Sequence, residues 1–268
     1  MEYFHLSSTV SIRTASEDAR RGVFEIDGLY AGYGLTMGNA LRRALLSSLP
    51  GAAVTYIKVR NAQHEFTTLP GVKEDIVELT LNFKKLRFRL HIDEPQTLLL
   101  KAKGERVVTA ADIKTNAQVE IMNPGEVLAT LTAKNAELDV EVTVERGLGY
   151  SAVESRKAEK IGIGMIAVDA FFSPVTRVNY AIENMRVGER TDYNRLRIEV
   201  ETDGTVSPSA ALHKTASILK DHFEKAFAVE VREFGAVGQK AAAAPKKRAA
   251  RTAKKAKAEQ PEAEATAE

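Results

Sequence analysis

The fold is decided by a helix-forming stretch near the N-terminus, GLTMGNALRRALLSSLPG, residues 34–51. Thr36 is a plausible hydroxyl N-cap, and Pro50-Gly51 is a stop signal. At about 100° per residue, one apolar or small-residue face contains Met37, Leu41, Ala44, Leu45 and Ser48. A second face contains Asn39, Arg43, Leu46 and Ser47. Because the second face is also partly apolar, we expect this helix to be covered on both sides.

A second amphipathic helix is predicted to begin at Ser207-Pro208, a hydroxyl cap followed by proline at the first helical position. Its stripe of apolar and small side chains runs over almost five turns and comprises Leu212, Ala216, Leu219, Phe223 and Phe227. The stripe is either covered within one chain or packed against a second copy about a two-fold axis. Ala44 and Ser48 are small enough for the two phenylalanine rings to approach, which suits a dimer.

Several segments alternate between apolar and polar residues, as strands with one solvated face do. They are Leu86–Ile92, Leu138–Glu145 and Leu196–Glu201. Such strands suit antiparallel sheets. Turn signals occur at residues 123–125 and 202–205, and a shorter helical pattern covers residues 73–84. The predicted fold class is therefore α+β.

Composition excludes several classes of protein. The 268 residues are 44% hydrophobic and 28% charged, as in soluble globular proteins, and no apolar run is long enough for a membrane span. There is no cysteine, which excludes disulfides, thiolate nucleophiles and cysteine metal sites. The N-terminus lacks the apolar core of a signal peptide. We therefore expect a cytoplasmic protein, associated with the nucleoid if it contacts DNA.

The C-terminal residues 239–268 differ from the rest of the chain. They are rich in Ala, Lys and Arg and then in Ala, Glu and Pro, which predicts a disordered tail. Its candidate DNA-contacting side chains are Lys246, Lys247, Arg248, Arg251, Lys254, Lys255 and Lys257. These side chains would contact DNA phosphates independently of the DNA sequence. The alternative is that the tail only makes the protein more soluble.

No catalytic, cofactor or metal site is predicted. The glycines before the first helix fit neither a phosphate-binding loop nor a dinucleotide fingerprint. The five histidines are scattered, and no acid–base pair can be placed in one cleft. Two rival functions are compatible with the sequence: an architectural DNA-binding protein acting through its basic tail, and an enzyme with a pocket in the middle of the chain.

Residues 34–51 closely resemble the alpha subunit of bacterial RNA polymerase, and further blocks continue the resemblance in order over residues 1–232. These blocks are His64–Phe66, Gly71–Ile76, Val108–Ile113, Glu145–Tyr150, Val168–Val175 and Arg190–Asp192. The resemblance implies a dimerisation domain from residues 1–51 and 174–232, with an inserted mostly-β domain at 52–173. The family's small C-terminal domain, which binds promoter DNA and activators, has no counterpart in the tail.

The resemblance also implies the function and partners. Two copies would dimerise and act as a non-catalytic scaffold for the beta and beta prime subunits of a nucleotidyltransferase, in a complex with omega and sigma. Magnesium would belong to beta prime. The dimer residues would be the first helix's apolar face and the second helix's stripe.

Contact residues follow from the same resemblance. Beta would contact Asn39, Arg43, Leu46, Ser47, His64, Glu65, Gly71, Val72, Glu74 and Asp75. Beta prime would contact Lys84, Val168 and Asp169. Without the resemblance, Arg43 could simply form a surface ion pair, and His64 and Lys84 could be ordinary polar surface residues.

Overall fold

The computed structural model describes residues 8–62, 64–156 and 164–229. Its helices are α1 (Tyr33–Ser47), α2 (Ile76–Lys84) and α3 (Pro208–Phe227). Its longer strands are β1 (Ser11–Glu17), β2 (Arg21–Leu29), β3 (Pro50–Val59), β5 (Gln96–Lys103), β9 (Val127–Leu131), β10 (Glu137–Leu148), β14 (Val175–Val187) and β15 (Arg190–Thr202). Its short strands are β4 (Phe88–Leu90), β6 (Arg106–Thr109), β7 (Ile113–Lys114), β8 (Val119–Ile121), β11 (Tyr150–Ser151), β12 (Met165–Ala167) and β13 (Ala170–Phe171). The predicted α+β class is confirmed.

The strands form two larger sheets and two small ones. A four-stranded sheet has the order β1-β2-β15-β14. A seven-stranded sheet has the order β7-β5-β10-β3-β4-β8, with β12 also paired to β3. The pairs β11-β13 and β6-β9 stand apart. The recorded strand pairs are antiparallel, as the alternating patterns predicted.

One core joins the beginning of the chain to its later part. Leu41 and Leu45 of α1 and Leu212 of α3 pack with Leu196 and Ile198 of β15. Both helices therefore cover one face of the four-stranded sheet. Strand β15 alternates as predicted, since its apolar side chains are buried against these helices.

A second core lies in the middle of the chain. Ile76, Leu79 and Phe83 of α2 are fully buried with residues of the seven-stranded sheet, such as Leu100 and Val142. The helical pattern predicted over residues 73–84 is confirmed for residues 76–84. The domain boundaries at 51/52 and 173/174 stay a prediction.

The start of α1 differs from the prediction. The helix begins at Tyr33 rather than at Thr36, with Gly32 as its N-cap at φ 85°. That backbone conformation favours glycine. The amide of Gly32 donates to Oδ1 of Asn194 at 2.9 Å. A side chain of the distant strand β15 therefore supplies the acceptor for this amide at the helix start.

The starts of the other two helices follow local rules. Ser207 caps α3 with Pro208 next to it, as predicted, and its Oγ accepts from the amide of Ala210 at 3.4 Å. Helix α2 starts after Asp75, three residues inside the predicted pattern. No helix within the described ranges is both long and apolar enough to span a bilayer.

Candidate assembly surfaces

The second half of α3 exposes large apolar side chains. Leu212 is buried and Leu219 partly buried, but Ala216 is exposed. Phe223 is 67% exposed and Phe227 92% exposed. Helix α3 thus leaves the chain's own core about halfway along its length. An exposed pair of aromatic rings on one helix is a typical mark of an interaction site.

Helix α1 uses much of its apolar face inside its own chain. Leu41, Ala44 and Leu45 are buried, and the two leucines hold α1 against the sheet. The accessible or partly accessible members of the predicted dimer set are Met37, Ser48, Ala216, Leu219, Phe223 and Phe227. Any contact with a second copy would therefore depend mainly on α3.

The other face of α1 points away from the core at most of its positions. Asn39, Arg43 and Ser47 are exposed, whereas Leu46 is partly buried against the core. Among the described residues, no acceptor pairs with the Arg43 guanidinium. Its neighbour Arg42 differs, because Nε of Arg42 donates to the carbonyl of Val178 at 3.3 Å. Arg43 is thus the arginine of α1 that is available to an external acceptor.

The loop before α2 is fixed at one end and exposed at the other. His64 and Glu65 are exposed, and His64 Nδ1 lies 3.1 Å from Oγ1 of Thr67. Gly71 has φ 76°, and its carbonyl accepts from the amide of Thr132 at 2.8 Å. Val72 is partly buried and bridges to the neighbouring strand β9.

Two predicted contact residues of this loop have structural roles. Glu74 is buried, and its Oε2 accepts from the amide of Thr130 at 2.7 Å. Asp75 caps α2, since its Oδ1 accepts from the amide of Glu78 at 2.6 Å. The carboxylate of Glu74 is therefore used inside the chain, while Asp75 stays exposed.

The structure brings the predicted beta prime residues Lys84 and Asp169 together. Nζ of Lys84 lies 3.3 Å from Oδ2 of Asp169, and Oδ1 of Asp169 accepts from the amide of Val153 at 3.0 Å. The same ammonium lies 5.7 Å from the ring centroid of Tyr150. Val168 is buried, so its side chain serves the core.

The pKa values in this cluster follow from these contacts. The Val153 amide, together with Lys84 and the Tyr150 hydroxyl, lowers the pKa of Asp169 below its usual value. Partial burial, and then the hydrogen bond to Asp169, raises the pKa of Tyr150. Asp169 is therefore ionised and Tyr150 protonated near neutral pH.

Sequence reasoning missed some members of this cluster. Tyr150 lay in a block of resemblance, but nothing in the pattern joined it to Asp169. Arg156 donates to the carbonyl of Thr55 at 3.2 Å and also to the carbonyl of Val168, which fixes the turn after β11. An arginine at the end of an irregular stretch carries no local signal for such a role.

Other predictions concern parts of the chain outside the description. The tail 239–268 and its seven basic candidates lie outside the described residues. Within residues 8–62, 64–156 and 164–229, no group of three or more His, Asp or Glu side chains could hold a metal ion.

Comparisons with known proteins agree with this architecture. Residues 56–173 match the model of the RNA polymerase Rpb3/RpoA insert domain. The DNA-directed RNA polymerase subunit alpha of Symbiobacterium thermophilum is 51% identical over 209 residues, 78% of this chain and 66% of the relative. The DNA-directed RNA polymerase subunit alpha of Moorella thermoacetica is 50% identical over 205 residues, which are 76% of this chain and 65% of the relative.

The aligned part of the chain thus spans just under two thirds of these two relatives. The DNA-directed RNA polymerase subunit alpha of Carboxydothermus hydrogenoformans is 49% identical over 213 residues, 80% of this chain and 68% of the relative. Identity near one half over such lengths is shared by all three. The chain belongs to the family of DNA-directed RNA polymerase alpha subunits.

Proposed function

We propose that this chain is a non-catalytic, homodimeric alpha subunit of RNA polymerase that recruits beta and then beta prime, in a complex with omega and sigma. The observation that carries the proposal is the apolar second half of α3. Phe223 and Phe227 are 67% and 92% exposed, although the first half of the same helix is buried in the core. Covering these rings with a second copy removes them from water.

A dimer through α3 has the form of a two-fold interface. The same stripe on each copy packs against its equivalent, and Met37 and Ser48 of α1 are still partly accessible to a second copy. A stable interface of this obligate type buries on the order of 2,000 Å² or more in total. The fold leaves the rest of each protomer available for larger partners.

Two polar surfaces supply those contacts. The first is the exposed face of α1, where the guanidinium of Arg43 has no partner among the described residues. A desolvated arginine fork can bind a carboxylate or backbone carbonyls at the centre of an interface. The second surface contains the Lys84–Asp169 pair. Because a symmetric dimer presents every surface twice, different faces of identical chains can meet beta and beta prime.

Co-purification with tagged beta tests the recruiting role. Arg43→Ala should reduce beta capture by about tenfold or more, as truncation of a central interface arginine typically does, while the dimer persists. Arg42→Ala is the matched control, since Arg42 bonds its own chain, and it should capture beta as the wild type does. Equal capture by the wild type and Arg43→Ala would remove Arg43 from the proposed interface.

A further inference from the structure

A small cavity is lined by elements of both cores. Its lining comes from the start of β3, from β4, from the end of β10, from the turn before α3 and from α3 itself. We call it the β3–α3 cavity. Its volume is about 210 Å³, below the roughly 300–1,000 Å³ of pockets that hold drug-sized ligands. A cavity of this size takes a small ion or a single chemical group rather than a whole cofactor.

The lining of the β3–α3 cavity is cationic. Its charged side chains are Arg89, Arg146 and Lys214, and its apolar ones include Ala52 and Phe88. Within the described part of the chain, the lining contains no carboxylate. Such a surface attracts an anion, because clefts lined by one sign of charge raise the local concentration of the opposite sign.

Arg89 fixes one wall of the cavity. Its Nε and Nη2 donate to the carbonyl of Thr205 at 3.2 and 2.7 Å, and its Nη1 donates to Oε2 of Glu120 at 3.2 Å. The guanidinium therefore ties the turn before α3 to strand β4. Because these contacts use Arg89 inside its own chain, it is a positioning residue of the cavity.

Arg146 and Lys214 bring donors that the chain itself does not use. Nη1 of Arg146 pairs with Asp93, whose side chain is 84% exposed, so this ion pair is weakened by water. Nε and Nη2 of Arg146 have no acceptor among the described residues. The ammonium of Lys214 is exposed and likewise has no acceptor in the described ranges. Two cations of one cavity are thus available to an anion.

We propose that the β3–α3 cavity binds a phosphate group, held by Arg146 and Lys214. Phosphate suits this pair because a guanidinium matches two of its oxygens and an ammonium adds a compact positive charge. A dianion also uses both cations, which a single carboxylate does not. The group is either free inorganic phosphate or the phosphate of a nucleoside monophosphate. The site goes beyond the proposed function, since both cations belong to one chain.

Calorimetric titration of the full chain with inorganic phosphate, at constant ionic strength, tests the site. The wild type should bind saturably with a Kd of about 1 mM or tighter, and acetate at equal concentration should not displace the phosphate. Arg146→Gln and Lys214→Gln should each weaken binding by about tenfold, since each removes a charged hydrogen bond. Lys58→Gln is the matched control, because Lys58 is a half-exposed lysine of β3 outside the cavity, and it should bind as the wild type does.

A second titration, with a nucleoside monophosphate, distinguishes the two sources of the phosphate group. Tighter binding than inorganic phosphate identifies the ester, weaker binding identifies the free anion, and both support the site. No saturable binding of either anion, displacement by acetate, wild-type affinity in both cavity variants, or equal loss in Lys58→Gln would each overturn it.

The test is separate from that of the dimer. Lys214 lies about 200° around α3 from both Leu212 and Ala216, so Lys214→Gln should leave the stripe of α3 and the oligomeric state unchanged. A monomeric wild type that still binds phosphate would overturn the proposed dimer alone.

Discussion

The ammonium of Lys84 lies 3.3 Å from the carboxylate of Asp169, although 85 positions separate the two residues along the chain. Lys84 ends α2, and Asp169 lies between β12 and β13. The pair forms because α2 packs on the seven-stranded sheet. A resemblance placed both residues on one partner's surface, and the fold gives them a direct contact.

Asp169 makes stability depend on pH in a defined direction. Its pKa is lowered in the folded chain, chiefly by the amide of Val153. A carboxyl group whose pKa is lower in the folded chain than in the unfolded chain stabilises the fold at pH values above its unfolded pKa of about 3.9. That stabilisation is lost as the pH falls through the folded pKa. The difference in unfolding free energy between the wild type and Asp169→Asn should therefore be largest above about pH 5 and shrink towards pH 3. Urea titrations across that range measure it, and a difference that grows on acidification would contradict the assignment.

Glu74 should matter for stability because its carboxylate is buried. Glu74→Ala removes the acceptor of the Thr130 amide, and a buried unsatisfied amide costs about 1–3 kcal/mol. Glu65→Ala, on the exposed part of the same loop, should change the free energy of unfolding by less than about 0.5 kcal/mol. Chemical denaturation of both variants distinguishes an inward role from a surface role for Glu74.

The cap of α1 gives a direct comparison between the predicted and the observed helix start. Asn194→Ala removes the acceptor of the Gly32 amide and should cost about 0.5–1.5 kcal/mol, as the loss of a typical hydrogen bond does. Thr36→Ala affects the predicted cap, whose Oγ1 only donates weakly to the Gly32 carbonyl at 3.4 Å. Thermal unfolding should rank Asn194→Ala as the more destabilising change, and the reverse order would contradict the role given to Asn194 at the start of α1.

The basic tail gives a prediction that depends on charge alone. Removing residues 239–268 takes away eight basic and four acidic residues. If the basic residues contact phosphates, the slope of promoter-complex affinity against salt should become less steep in the truncated chain. Binding measured at several salt concentrations checks this, and an identical slope would leave the tail without a DNA role.

Sequence reasoning succeeded where one element carries its own signal. The start of α3 at Ser207-Pro208 and the alternation of β15 follow local rules, and the structure has both. The start of α1 was predicted wrongly because its N-cap is Gly32, whose amide donates to the side chain of Asn194, more than 160 positions away. Contacts of that kind depend on packing, which a local pattern does not record.

For the candidate surfaces, too, the sequence predicted what a local pattern records and missed what depends on packing. The pattern identified the exposed rings of Phe223 and Phe227, because helical spacing alone places them on one stripe. It did not show that Leu41 and Leu45 belong to the chain's own core, since an apolar helix face looks the same whether a sheet or a second copy covers it. The inward role of Glu74 was equally hidden, because its partner is a backbone amide of β9.

Sedimentation velocity of the full chain at micromolar concentration tests the central claim, dimerisation through α3. The wild type should sediment as a dimer, and the Phe223→Ser/Phe227→Ser variant as a folded monomer with an unchanged circular dichroism spectrum. Phe66→Ser is the control, since Phe66 is as exposed as Phe223 but lies on another surface, and it should remain a dimer. A wild-type monomer at this concentration, or a double variant that still dimerises, would contradict the account.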